Sequence, residues 1–305
     1  MGWARASAVV ASVFALLACR EESAPAPSSA AGGAGKAAAP SALNEEAARQ
    51  RSEAVRKAMN PQGLPVYSGP IGSVHGVVKV SGDAAPINAE MAAKLPATGC
   101  PGAQEMQRKV FREGIGRTLA DVLVTVTEYP GFVPQRSDSV RVDIKGCAFS
   151  SRVVAIAFGQ RLDVFNLDPQ GYLPRLMGTP SYALRLALPG GSPIPLFAPH
   201  AGRYLLVDQT QEYMSAEVYV LNYPTFQVTG LDGRFDITGI PTGDVKVTAF
   251  APLLGKTSEQ RVKIQAGASA ELNFEIPFSR TEYEAALRLK DSETEKSRAP
   301  SGVIQ

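Results

Sequence analysis

From Gly69 to Ile276 the chain is cut into short β-branched runs by glycine and proline, and this punctuation is the strongest constraint on its fold. The chain has 28 Gly and 23 Pro in 305 residues, so long uninterrupted helices are excluded from most of it. Val74, Gly76, Val78 and Val80 alternate with His75, Val77 and Lys79, the period of two that puts one strand face in a core. The same reading predicts strands at 119–129, 139–144, 152–158 and 161–166. Residues 167–202 read as long loops with a short strand near 182–188. Further strands are predicted at 202–207, 216–221, 226–229, 234–237, 244–250, 259–264 and 271–276. Many short strands at regular spacing mean one β-sandwich or two.

The flanks differ. An apolar run from Ala8 to Ala18 follows Arg5 and is too short to span a bilayer. Leu16-Leu17-Ala18-Cys19 reads as a bacterial lipobox, so residues 1–18 are expected to be a signal peptide and Cys19 the lipidated N-terminus. The alternative is an ordinary secretory signal that ends in Cys. Residues 19–42 are almost wholly Ala, Pro, Ser and Gly, and read as a disordered tether. Residues 43–60 read as a solvated helix, with Asn44 as N-cap and Asn60-Pro61-Gln62-Gly63 as its stop. Ser279-Arg280-Thr281-Glu282 has capping-box spacing, so 279–305 reads as a short helix and, from Asp291, a disordered tail.

A net charge of +2 without basic–aromatic clusters gives no case for a nucleic-acid partner. Membrane contact rests on the lipid, and several acyl chains would make it stable. The localisation expected is the cell envelope, anchored by lipid; by resemblance to Gram-negative lipoproteins, Arg20 after the lipidated cysteine favours the outer membrane. An envelope protein is the expected partner class. Beyond Cys19, Cys100 and Cys147 remain, in a compartment where disulfides persist. A bridge between them would stabilise by ~4 kcal/mol on the chain-entropy model. The rival reading is a metal or redox pair, although the spacing is far from CxxC and no His lies near either.

No G-x-S-x-G, H-E-x-x-H or phosphate loop occurs, and the chain is not expected to be an enzyme. An unrecognised hydrolase remains a third reading. The two histidines are His75, read as facing solvent from a strand, and His200, in a loop. Asp163, Asp168 and Asp208 are either a hard-cation cluster or turn carboxylates.

Val228-Thr229-Gly230-Leu231-Asp232-Gly233-Arg234-Phe235-Asp236-Ile237 reads as a β-hairpin with a primed turn at Asp232-Gly233. Followed by Ile240-Pro241-Thr242-Gly243, it resembles the carboxypeptidase regulatory-like domain over roughly 216–277. A wider stretch, about 70–277, resembles bacterial periplasmic cupredoxin-like proteins of the plastocyanin or methylamine-utilisation type. The matching pieces include Gly72-Ser73-Val74-His75-Gly76-Val77-Val78, Lys145-Gly146-Cys147-Ala148-Phe149 and Asn166-Leu167-Asp168-Pro169. The resemblance implies an all-β chain: a cupredoxin-like Greek-key sandwich at 69–215 and a prealbumin-like regulatory module at 216–278. It leaves open which of the two holds strand 72–80. It also implies paired cysteines at Cys100 and Cys147.

The copper ligands do not carry over. Where metal-binding relatives place a His after the Asn-x-Asp-Pro turn, Tyr172 stands here; their Cys, His and Met are matched by Asp208, Gln211 and Met214. A blue-copper site needs two imidazoles, a thiolate and a weak axial ligand. The expectation is therefore no cofactor and a non-catalytic binding or scaffolding role, against the alternative of a copper electron-transfer protein with an unusual site.

Overall fold

The computed structural model describes residues 42–180 and 184–298. The signal peptide, Cys19 and nearly all of the tether lie outside the described residues. Helix α1 (Ala42–Met59) precedes strand β1 (Ile71–Gly82), helices α2 (Ala89–Lys94) and α3 (Pro101–Gln107) and strand β2 (Leu123–Thr127). Then come β3 (Ser139–Ile144), β4 (Val153–Ala157), β5 (Arg161–Asn166), β6 (Pro174–Met177), β7 (Ile194–Phe197), β8 (Gly202–Asp208) and β9 (Ser215–Leu221). The rest is β10 (Phe226–Val228), β11 (Arg234–Pro241), β12 (Gly243–Ala251), β13 (Lys256–Ile264), β14 (Ser269–Glu271), β15 (Phe274–Phe278) and α4 (Arg280–Arg298).

These elements build two sandwich cores, and the all-β reading holds. The first packs the sheet β3-β5-β7 against β4-β9-β8-β6. Its interior holds Ile144, Ile156, Leu162, Val164, Leu206 and Val218, all fully buried. β4 is buried along its whole length, so Val153–Ala157 is continuously apolar rather than alternating. α1 docks on this core through Val55, Ala58 and Met59.

The second core packs the sheet β10-β2-β12-β13 against β1 and its partners. β1 runs antiparallel to β11 along one edge, and parallel to β14 and then β15 along the other. Strand 72–80 therefore belongs with the C-terminal strands. Its inward residues Val74, Val78 and Val80 pack with Phe235, Ile237, Phe274 and Ile276. β2 sits between β10 and β12 in the same core.

The division 69–215 and 216–278 is accordingly not where the cores divide. β1 and β2 lie before the first sandwich in sequence yet complete the second, while β9 pairs with β4 and β8 of the first. Sheet pairing is non-local, and a continuous cut along the chain misassigns three strands. The hairpin at 228–237 is also corrected. β10 pairs with β2 and β11 with β1, so the connection passes from one sheet to the other. The turn itself is present: Gly233 N–H donates to Gly230 O at 2.9 Å, and Gly233 has φ 65°. Asp232 is not among the positive-φ residues, so the turn is not of the primed type.

Two other expectations change. Residues 167–202 contain β6 and β7 as well as loops, and Ala187 forms only an isolated bridge with Tyr172; Tyr182 lies outside the described residues. The C-terminal helix continues past Asp291 to Arg298, because Glu, Lys, Arg, Ala and Leu are good helix formers even when the segment is too charged to bury a face. Residues 299–305 lie outside the described residues.

Candidate functional site: the loop end of the first sandwich

The site forms where β5 ends, β6 begins, and the loop from β8 to β9 folds back. Asn166 closes β5 and organises the next turn: its Oδ1 accepts the Asp168 N–H at 2.9 Å, and its Nδ2 donates to Gln170 O and Ala187 O at 2.6 and 2.8 Å. That turn aims Asp168 inward. Asp168 Oδ1 accepts the Gly146 N–H at 2.7 Å, and Oδ2 accepts the Cys147 N–H at 2.8 Å and the Tyr172 hydroxyl at 2.7 Å. Burial alone would raise the Asp168 pKa, but the donors from Cys147, Tyr172 and Gly146 together hold it below the ordinary carboxylate value. Burial, with the Asp168 carboxylate beside it, pushes the Tyr172 phenol well up. Tyr172 is therefore a neutral donor at physiological pH.

Cys100 and Cys147 form a disulfide. Cys147 is buried and holds φ 62°, so its N–H points to Asp168 while its sulfur turns back to α3. The Gln170 amide reaches Cys147 Sγ at 3.3 Å, and the Tyr213 hydroxyl lies 3.8 Å from Cys100 Sγ. The bridge thus fastens the α3 segment to the turn that carries Asp168.

Asp208 ends β8 with its carboxylate filled. Oδ2 accepts the Leu173 N–H at 2.5 Å; Oδ1 accepts the Thr210 N–H at 2.9 Å, the Thr210 hydroxyl at 2.6 Å and the Gln211 N–H at 3.1 Å. The loop is closed by Met214 N–H to Gln211 O at 2.9 Å and Asp208 N–H to Met214 O at 3.1 Å. Met214 is fully buried in the first core. Tyr172, Asp208, Gln211 and Met214 are thus brought to one end of the sandwich, within an internal hydrogen-bond network and a packed core.

These residues do not fit a blue-copper ion. No thiolate is present, since the cysteines at this end are bridged. The imidazoles are elsewhere. His75 is on β1 of the second core, its Nδ1 2.7 Å from Ser269 Oγ. His200 precedes β8, and its Nδ1 lies 2.8 Å from the Tyr204 hydroxyl. β8 has seven residues, a length of about 20 Å, with His200 before its first residue and Asp208 its last. The three aspartates do not form a cluster here: Asp163 lies within β5, the middle strand of its sheet, and pairs with Arg161 at 2.9 Å, while the other two are filled largely by backbone donors. Among the described residues no group of three or more His, Cys, Asp or Glu is placed to hold a metal ion.

Sequence reasoning missed a second polar cluster, between the two cores. Asp121 is 1% exposed and has φ 63°. It takes a fork from Arg112 at 2.8 and 2.7 Å, and the Arg152 N–H at 3.1 Å from the start of β4. Arg152 is also buried and donates to Lys109 O and Val110 O. Asp121 and Arg112 stand nine residues apart, a spacing that carries no motif. The outlying positive φ is visible only in the structure.

No family model matches the chain, and no curated protein matches it. Among solved structures, the Cu-containing nitrite reductase from Thermus scotoductus SA-01 is 16% identical over 32% of this chain and 25% of that one, at a TM-score of 0.24. The chain thus spans a quarter of the length of that protein. Amicyanin from Paracoccus versutus is 17% identical over 32% of this chain and 97% of that one, at a TM-score of 0.25. The all-β class rests on the observed strand pairing rather than on these likenesses.

Proposed function

We propose that this chain is an exported, lipid-anchored protein of the cell envelope that acts as a non-catalytic binding or scaffolding module. In this reading the first core is a cupredoxin-like domain without metal, and the second is a carboxypeptidase regulatory-like module. Cys19 carries the lipid, and the protein faces the periplasm from the outer membrane. One observation carries the reading: the two buried carboxylates at this end, Asp168 and Asp208, have their oxygens taken by donors from within the fold. Tyr172 donates to Asp168, and both Asp208 oxygens are taken by loop donors. A carboxylate already accepting several hydrogen bonds would have to lose them to bind a cation, and each loss in a buried site is costly. Loops held rigid at one end of a sandwich are suited to recognition instead. The test is metal content and visible absorption of the protein isolated from the envelope, with mass spectrometry of its N-terminus. An acylated Cys19 and a colourless, copper-free protein are expected. Stoichiometric copper, or an unacylated soluble product, overturns the corresponding half of the proposal.

A further inference from the structure

At the open side of the first sandwich, edge strands β6 and β7 face one another and line a cavity of about 220 Å³. Its polar lining is Arg175 on β6, Thr179 and Arg185 on the following segment, and Gln209 just after β8; among the described residues no Asp or Glu lines it. The apolar lining includes Leu176, Leu196 and Phe197. β6 turns Pro174 and Leu176 into the core and Arg175 the other way. The Nε of Arg175 is buried and has no hydrogen-bond partner among the described residues. The nearest acid in sequence to Gln209 is Asp208, and its two oxygens are taken by Leu173, Thr210 and Gln211 rather than by either arginine. Thr179 spends its hydroxyl on Leu176 O.

We propose that this cavity is a carboxylate-binding pocket, held ready by Arg175 and Arg185 for a short-chain organic acid. A buried guanidinium N–H without an acceptor is an uncommon cost, and a guanidinium fork matches the planar geometry of a carboxylate. The prolines, leucines and Phe197 leave an apolar wall for a short hydrocarbon body. The volume is below that of pockets for drug-sized ligands, so it takes one small group. The inference rests on the proposed binding role of this domain and names the chemistry of its ligand.

The experiment uses the full chain isolated in detergent, modified with phenylglyoxal and mapped by mass spectrometry. Sodium butyrate is expected to protect Arg175 and Arg185 saturably while leaving exposed Arg288 reactive. Butyramide, the neutral analogue, is expected to give no protection. Arg185→Met is expected to weaken butyrate protection of Arg175 about tenfold, the effect of losing one charge-assisted contact. Arg175→Lys keeps the charge without the fork and is expected to weaken butyrate protection of Arg185, with an unchanged circular dichroism spectrum as control for folding. A tripeptide with a free C-terminus, compared with its amide, separates a free acid from a chain end as the carboxylate source. Equal protection by butyramide, non-saturable protection, or protection by inorganic phosphate at lower concentration than butyrate overturns the proposal. Copper assayed in the same material keeps the two readings apart: absent copper with absent protection removes the pocket alone, while bound copper removes the metal-free reading beneath it.

Discussion

The Tyr172 hydroxyl donates to Asp168 Oδ2 at 2.7 Å, and the same oxygen takes the backbone N–H of Cys147 at 2.8 Å. One carboxylate thereby ties together the end of β5, the start of β6 and the disulfide-bonded turn. Tyr172→Phe keeps the ring in the core and removes one donor to a buried anion. It should destabilise by ~1.5–3 kcal/mol in urea unfolding, without loss of secondary structure. An unchanged midpoint would mean that the contact is idle.

Asp168 sets a pH dependence. Its folded pKa is held below the ordinary value of 3.8. The stability it contributes is therefore fully present above about pH 3.8 and is lost as pH falls through the lower folded pKa. Asp168→Asn should be less stable than wild type at pH 6, with the gap closing as unfolding is measured towards pH 2. A gap that widens on acidification would contradict the assignment of its donors.

The Cys100–Cys147 disulfide closes a separation of 47 residues, for which chain entropy gives ~4 kcal/mol. Cys100→Ser should lower stability in chemical denaturation by up to about that amount. It should also loosen the Asp168 turn, read as faster amide exchange at Gly146 and Cys147. Unaltered exchange at both would separate the bridge from the network.

Gly233 is required by close approach as well as by φ. A Cβ there would meet Val78 O at 2.4 Å, whereas one on Gly255, at a similar φ of 61°, meets nothing within 4 Å. Gly255→Ala should cost ~1–2 kcal/mol from left-handed backbone strain alone. Gly233→Ala should cost more, since the Val78–Gly233 hydrogen bond at 2.8 Å must also shift. Equal melting temperatures for the two variants would refute the close-approach argument.

The Arg112–Asp121 pair is buried between the cores, with side chains 9% and 0% exposed. Asp121→Asn leaves Arg112 and Arg152 buried without their counter-charge and should destabilise by ~3–5 kcal/mol. Arg112→Met in the same background should recover part of that loss, as a double-mutant cycle would show.

Legibility in the sequence followed burial. β5 was readable to the residue because Leu162 and Val164 alternate between clear turns. β6 and β7 were not, because Pro174 and Pro195 sit within them. Both are edge strands that pair on one side only, where proline is tolerated. The turn at Gly233 was readable from Asp-Gly, but the sheet that receives each flank depends on pairing with β1 and β2, far away in sequence. At the site, Tyr172, Asp208, Gln211 and Met214 were located by resemblance. The partners of the Asp168 and Asp208 carboxylates were hidden because most are backbone N–H groups, which every residue except proline carries. Arg175 and Arg185 lay in a stretch that reads as loop, and nothing in their spacing marks a shared cavity.

The central claim is that the sandwich end occupied by Tyr172, Asp208, Gln211 and Met214 holds no copper. The most direct test is titration of the purified protein with Cu(II), followed by visible absorption and calorimetry, with His75→Ala and His200→Ala in parallel. The account predicts no charge-transfer band, binding no tighter than a surface histidine gives, and no rise in melting temperature. One equivalent of copper bound at submicromolar affinity, and lost in either histidine variant, would contradict it.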